Sequence, residues 1–138
     1  MKLVGFNFTK INLEKKSSDL KDLKINTGID ISEITEANSD IFKSSDKLIA
    51  IKFEYNIKYE KNIATLNFFG NLVVSLEPEQ AKDILKQWKK KKMPDEFRLN
   101  IFNIILRKSS LKALQFEEEL NLPPHIPLPS FRPPEKKE

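Results

Sequence analysis

Side chains that could bind a metal ion or act as nucleophiles are sparse in this chain. Cysteine is absent, which excludes disulfides, thiol nucleophiles and thiolate metal sites within the isolated chain. The single histidine, His125, lies among prolines and has no second histidine with which to share a metal ion. The three glycines are too scattered to form a phosphate-binding loop. We therefore expect no metal, no cofactor and no catalytic role for His125.

The densest run of carboxyl groups is Glu117, Glu118 and Glu119. A run of like charges at a helix end is typical of a solvated surface, so we predict that all three are exposed. Acid–base catalysis would need a buried carboxyl group, and no pattern in the sequence identifies one. Because no set of nucleophile, base and metal can be assembled from these residues, an enzyme is the least expected class of function.

A cluster of lysines surrounds the single tryptophan, Trp88. The cluster consists of Lys86, Lys89, Lys90, Lys91 and Lys92. It could follow a phosphate backbone while Trp88 stacks on a base. The alternative, which we favour, is that the lysines end a helix and that Trp88 lies on its apolar stripe. Only three of the 24 basic residues are arginine, and arginine is the residue that reads phosphates and guanines through paired hydrogen bonds.

Composition indicates one water-soluble domain. A chain of 138 residues usually closes a single core, and 39% apolar with 32% charged residues favours folding in water. No stretch approaches the roughly 20 apolar residues of a membrane span, and no secretory signal is recognisable at the start. We expect a cytoplasmic protein. The net charge of +4 permits a polyanionic partner without requiring one.

The first half of the chain predicts four strands. Residues 3–13 alternate around Val4, Phe6 and Phe8, and residues 25–34 alternate more weakly. Residues 47–60 alternate strictly, and residues 63–77 carry apolar side chains on both faces, with Gly70 suggesting a bulge or bend. Residues 38–46 carry the Asn, Asp and Ser punctuation of a turn. Because the connections are short, we predict an antiparallel meander.

The second half predicts two helices and an extended tail. A short helix begins near Pro78, and its apolar stripe is Ala81, Ile84, Leu85 and Trp88. A long helix begins near Pro94. Its predicted apolar positions are Phe97, Ile101, Ile104, Ile105, Lys108, Leu111, Leu114 and Leu120. So long a helix suggests packing against another subunit. The fold class is therefore α+β, with a domain over residues 1–120.

Residues 121–138 form a proline-rich C-terminal tail. Six prolines fall between residues 123 and 134, which forbids a helix and favours an extended path. The tail could present a proline-rich ligand to another protein, or its apolar residues could lie over the sheet of this chain. We favour the second interpretation, in which the tail clamps the domain.

The order of four strands, a short helix, a long helix and an LNLPP segment resembles the bacterial export chaperone SecB and its archaeal SecB-like relatives. The most specific stretch covers residues 96–131, and the aromatic hairpin over residues 48–76 is similar to the central strands of that family. This resemblance implies a four-stranded antiparallel sheet backed by helices, assembled as a dimer or tetramer. It also implies ATP-independent holding of unfolded polypeptides, with Phe53, Tyr55, Phe68 and Phe69 as candidate polypeptide-binding residues.

Two features depart from that family. SecB is acidic and ends in a further helix that helps contact the translocation ATPase, whereas this chain is basic and ends in RPPEKKE. A role in protein transport through that ATPase therefore does not follow from the resemblance.

Three functions remain open from the sequence. The leading hypothesis is a SecB-like chaperone, or chaperone-like module, that binds unfolded or partly folded polypeptides through apolar surface as a homo-oligomer. The alternative is a small nucleic-acid-binding module that uses the lysine cluster, Trp88 and aromatic residues of the sheet. A third is a subunit with a purely structural or regulatory role, for example a chaperone tied to one partner such as an antitoxin. We expect no membrane partner.

Overall fold

A computed structural model describes residues 1–38 and 45–134 as one antiparallel sheet with two helices. The strands are β1 (Lys2–Lys15), β2 (Lys24–Ala37), β3 (Lys47–Glu60) and β4 (Ala64–Leu76). The helices are α1 (Pro78–Trp88) and α2 (Asp95–Glu119). The predicted α+β class, with four strands, a short helix and a long helix, is confirmed. Most of the turn predicted at residues 38–46 lies outside the described residues.

The strand order is β1-β4-β3-β2, which corrects the predicted meander. Only β2, β3 and β4 follow one another as neighbours, and β1 pairs with β4 across the sheet. The connection at residues 16–23 crosses the end of the β3–β4 hairpin, where the amides of Lys16 and Ser17 donate to the carbonyl oxygen of Ile63 at 2.7 and 3.3 Å. Eight extended residues reach about 26 Å, which exceeds the roughly 14 Å of three strand spacings. The connection is thus long enough for β1 and β2 to lie at opposite edges of the sheet. The two most apolar strands, β3 and β4, lie at its centre.

One face of the sheet forms the core. The alternating row of β3 faces inward, and each of its members is at most 2% exposed: Ile49, Ile51, Phe53, Tyr55, Ile57 and Tyr59. The inward row of β4 is equally buried and includes Leu66, Phe68, Leu72 and Val74. Both helices pack over β2 and β3 on this face. Burial of these rows drives the fold, because removing apolar area from water contributes about 25 cal/mol per Å².

Gly70 lets an aromatic ring lie across β4. A Cβ atom at this position would stand 2.8 Å from Cζ of Phe53 and would also collide with the backbone carbonyl oxygen of Asn7. The ring of Phe53 consequently reaches over β4 to within 5.2 Å of the ring of Phe6, centroid to centroid. The predicted irregularity is found in the facing strand, where the β1 register shifts between Phe8 and Lys10.

The buried side of α2 turns around the helix axis. Its buried residues recur every four positions: Phe97, Ile101, Ile105, Ser109, Ala113 and Glu117. Because an α-helix has about 3.6 residues per turn, each four-residue step rotates the buried direction by about 40°. The apolar face predicted from spacing is thus correct for the first half of α2 but wrong for Lys108, which is exposed, and for Leu111, which is 62% exposed.

Candidate functional site

A left-handed residue after α2 turns the chain back toward the sheet. Asn121 has φ of 54°, and the amide of Leu122 donates to the carbonyl oxygen of Glu117 at 2.8 Å. The amide of Asn121 donates to the carbonyl oxygen of Glu118 at 3.2 Å, which completes a Schellman C-cap. Leu122 is 5% exposed and belongs to the main core. The cap therefore sets the direction of the residues that follow.

The carboxyl group of Glu117 is the centre of a buried polar network. The backbone amide of His125 donates to Oε2 of Glu117 at 3.0 Å, and Nδ1 of His125 lies 2.7 Å from Oε1. The hydroxyl of Tyr59 also donates to Oε2. The side chains of Glu117 and His125 are each 1% exposed. A carboxyl group this deep is stabilised only when its oxygens are paired in this way.

The network continues through His125 to a second tyrosine. Nε2 of His125 lies 3.2 Å from Oγ of Ser110, which lies 3.3 Å from the hydroxyl of Tyr55. With Glu117 as acceptor, a neutral imidazole carries its proton on Nδ1 and accepts from Ser110 at Nε2. Tyr55 then donates to Ser110. One continuous path of hydrogen bonds joins β3, α2 and the residues after α2.

Both tyrosines hold their protons more strongly than usual. Burial is the main cause that raises the pKa of Tyr59, and its hydrogen bond to Glu117 raises that pKa further. Burial also raises the pKa of Tyr55, against an opposing effect of its hydrogen bond with Ser110. Ionisation of either hydroxyl would place a negative charge beside Glu117 without water to solvate it. The network therefore favours the protonated, neutral form of both Tyr55 and Tyr59.

The prediction that Glu117 is solvated is wrong. Glu118 and Glu119 are exposed, but Glu117 is the last member of the buried row of α2 and lies beneath the returning chain. The clearest signal in the sequence that could have identified it is its four-residue spacing from Ala113 and Ser109, which continues the apolar row.

Ser110, His125 and Glu117 stand at the distances of a nucleophile, base and carboxyl triad. Sequence reasoning did not foresee this set. Ser110 is 7% exposed, and the side chains of its two partners are 1% exposed, so a substrate has no direct route to the hydroxyl. Within residues 1–38 and 45–134, no group of three or more His, Asp or Glu residues could hold a metal ion.

The four candidate polypeptide-binding residues lie on two different faces. Phe53, Tyr55 and Phe68 are at most 2% exposed and belong to the core beneath the helices. Phe69 lies on the opposite face, where Nζ of Lys10 stands 5.5 Å from the centroid of its ring. A role of these residues in polypeptide binding stays a prediction.

The lysine cluster is exposed at the end of α1, while Trp88 is half-buried against the core. Nζ of Lys91 lies 4.6 Å from the centroid of the Trp88 ring. One face of the ring is thus occupied by a lysine of the same chain, which leaves less of it for stacking on a base. The nucleic-acid site itself stays a prediction.

A row of apolar side chains on β1 was not among the predicted site residues. The row consists of Leu3, Phe6, Phe8, Ile11 and Leu13, and each member is half-buried. It lies on the same face as the core but at an edge of the sheet, whereas the helices pack over β2 and β3. We call this row the β1 row.

Within the described residues, no helix is both long and apolar enough to cross a membrane. No protein-family model matches the chain, and no curated protein matches it in sequence. Among solved structures, it is similar to the Mycobacterium tuberculosis Rv1957 SecB-like chaperone in complex with a ChAD peptide from the Rv1956 HigA1 antitoxin. The TM-score is 0.48, with 12% identity over 96% of this chain and 91% of that chain. Neither sequence comparison assigns the chain to a family.

Proposed function

We propose that this chain is a SecB-like, ATP-independent chaperone, or chaperone-like protein, that binds unfolded polypeptides in the cytoplasm. The observation that supports it best is the β1 row, a half-exposed apolar strip along an edge strand of 14 residues. An edge strand offers unpaired amides and carbonyls to any extended chain, and the row beside it offers apolar contact. Neither feature depends on a particular client sequence.

The energy available from the β1 row is sufficient for weak capture. Burial of about 300 Å² of apolar surface contributes about 7 kcal/mol before the entropy cost of association. Binding of this kind is reversible and suppresses aggregation by mass action, without nucleotide hydrolysis. We therefore propose that this chain acts as a binding protein and not as an enzyme.

Self-association is part of the same proposal. Leu99 and Leu106 on α2 are 62% and 43% exposed, and half-buried Phe102 lies between them at helical spacing. Such a stripe matches the surface that helices bury between subunits. We expect light scattering to give a dimer or tetramer of the 16.1 kDa chain. Leu99→Glu combined with Leu106→Glu is expected to give a monomer.

The function is tested with a denatured model enzyme such as citrate synthase. Wild-type chain at stoichiometric ratio is expected to suppress its aggregation, measured by light scattering. Phe6→Ser removes one ring of the β1 row and is expected to reduce protection severalfold. Leu111→Ser removes an exposed leucine from α2 and is the matched control, with protection unchanged. A wild-type chain that gives no protection would contradict the proposal.

A further inference from the structure

The residues that follow α2 occupy a groove that binds them through backbone as well as side chains. The groove is lined by Tyr55 and Tyr59 of β3 and by Ser110 and Glu117 of α2, and we call it the C-terminal groove. The carbonyl oxygen of Pro123 accepts from the hydroxyl of Tyr59 at 2.6 Å, and this hydroxyl shares its single proton between Pro123 and Oε2 of Glu117. Two residues later, the amide of His125 donates to Glu117 at 3.0 Å. A carbonyl and an amide at this spacing are present in any extended polypeptide in which the residue two positions after the carbonyl is not proline.

Side chains add selectivity to these backbone contacts. Leu122 fills an apolar position in the core, and the imidazole of His125 bridges Glu117 and Ser110. The imidazole and the ring of Tyr55 also pack in a T-shaped arrangement, with centroids 6.3 Å apart. The segment that fills the groove thus has an apolar side chain followed, three positions later, by a histidine. Prolines fit between them because Pro123 contributes only its carbonyl oxygen.

The docked part of the chain is short. Exposure rises directly after His125, since Ile126 is 37% exposed, Leu128 55% and Phe131 fully exposed. Docking is therefore concentrated in residues 122–125, with no later element threaded over them within residues 126–134. A segment held by a few contacts and followed by exposed residues opens at less than the cost of global unfolding.

We propose that the C-terminal groove is a peptide-binding site that residues 122–125 fill in cis, and that a segment of another polypeptide replaces them. The ligand is an extended segment with an apolar side chain three positions before a histidine. This inference rests on the proposed polypeptide-binding function and adds a second site, which is selective for sequence. The segment of the same chain competes at an effective concentration in the millimolar range, which keeps the groove closed until a ligand accumulates.

The first test uses a fluorescein-labelled synthetic peptide of residues 120–128 and the full chain. Wild type is expected to bind it weakly, because its own segment competes. His125→Ala in the protein weakens that competitor, so the labelled peptide is expected to bind at least tenfold more tightly, measured by fluorescence polarisation. The same peptide carrying His125→Ala is the matched control and is expected to bind each protein at least tenfold more weakly than the unchanged peptide. Equal binding of both peptides, or equal binding by both folded proteins, would overturn the inference.

A second test needs no variant and therefore does not depend on whether His125→Ala folds. His125 is the single histidine of the chain, so its imidazole signals in NMR spectra of labelled wild type report its environment alone. Unlabelled peptide of residues 120–128 at millimolar concentration is expected to shift these signals toward those of a solvent-exposed histidine. Signals that stay unchanged would contradict displacement of the segment.

The two proposals fail separately. Protection of the aggregating enzyme by wild type, with no displacement of His125 by the peptide, would refute the groove and leave the chaperone proposal standing. Displacement of His125 without protection would refute the chaperone proposal and leave a selective peptide site.

Discussion

Replacement of Glu117 by alanine is expected to destabilise the fold far more than replacement of its neighbour. Glu117→Ala leaves the amide and Nδ1 of His125 without their acceptor in a buried site. Each unpaired buried donor costs about 1–3 kcal/mol, so the loss is expected to be about 2–6 kcal/mol. Tyr59 keeps the carbonyl oxygen of Pro123 as its acceptor and adds little. Typical domains are stable by only about 5–15 kcal/mol, which makes this loss easy to measure.

Glu118→Ala is the matched control, because it removes the same group from an exposed position one residue away. It is expected to change the free energy of unfolding by less than about 0.5 kcal/mol. Urea unfolding, followed by circular dichroism, measures the stability of both variants. If the m-value, the slope of the free energy of unfolding against urea concentration, is unchanged, only stability has changed. If the two variants unfold within about 1 kcal/mol of each other, the network around Glu117 does not hold the fold as described.

Three further perturbations test the core and the network. The pKa of each of the two buried tyrosines, Tyr55 and Tyr59, lies above the ordinary value of 10.0. The stability that their protonated forms contribute is therefore complete below about pH 10 and is lost as the pH rises further. In an alkaline titration, tyrosinate absorbance from these residues should appear only together with unfolding. Ser109 has a buried hydroxyl with no hydrogen-bond partner among the described residues, so Ser109→Ala should be neutral or stabilising in urea, whereas Ser110→Ala should cost about 1–3 kcal/mol. Gly70→Ala should cost about 1–3 kcal/mol by overpacking, whereas Gly5→Ala, which meets nothing within 4 Å, should lose nothing when both are compared by thermal unfolding.

Local periodicity was sufficient to predict the elements. Strict alternation over residues 47–60 identified β3, and proline with acidic residues identified the start of both helices. Strand order was not predictable in the same way, because it depends on which strands pair with a neighbour along both of their edges. The eight-residue connection before β2 is compatible with either a neighbouring or a distant strand, so its length did not distinguish the two.

The candidate site was largely missed because its parts come from distant positions. Tyr55 and Tyr59 were correctly placed on the inward side of β3 by alternation, but their hydroxyl partners lie more than 50 residues away. Glu117 lies in a run of glutamates that suggests a solvated surface, and His125 lies among prolines that suggest an isolated tail. Only the Schellman turn at Asn121 brings them together, and asparagine in a left-handed turn is a weak signal.

The position of β1 beside β4 has a consequence for synthesis on the ribosome. The partner of Lys15 is Ala64, 49 residues later, and the partner of Lys2 is Ser75, 73 residues later. At about 5–20 residues per second, the first strand waits about 2–15 s for its neighbour to be made. During that interval Phe6 and Phe8 have no sheet to pack against, so the nascent chain exposes an aggregation-prone strand before it can fold. A chain that we propose to bind unfolded polypeptides is therefore itself prone to aggregate while it is being synthesised.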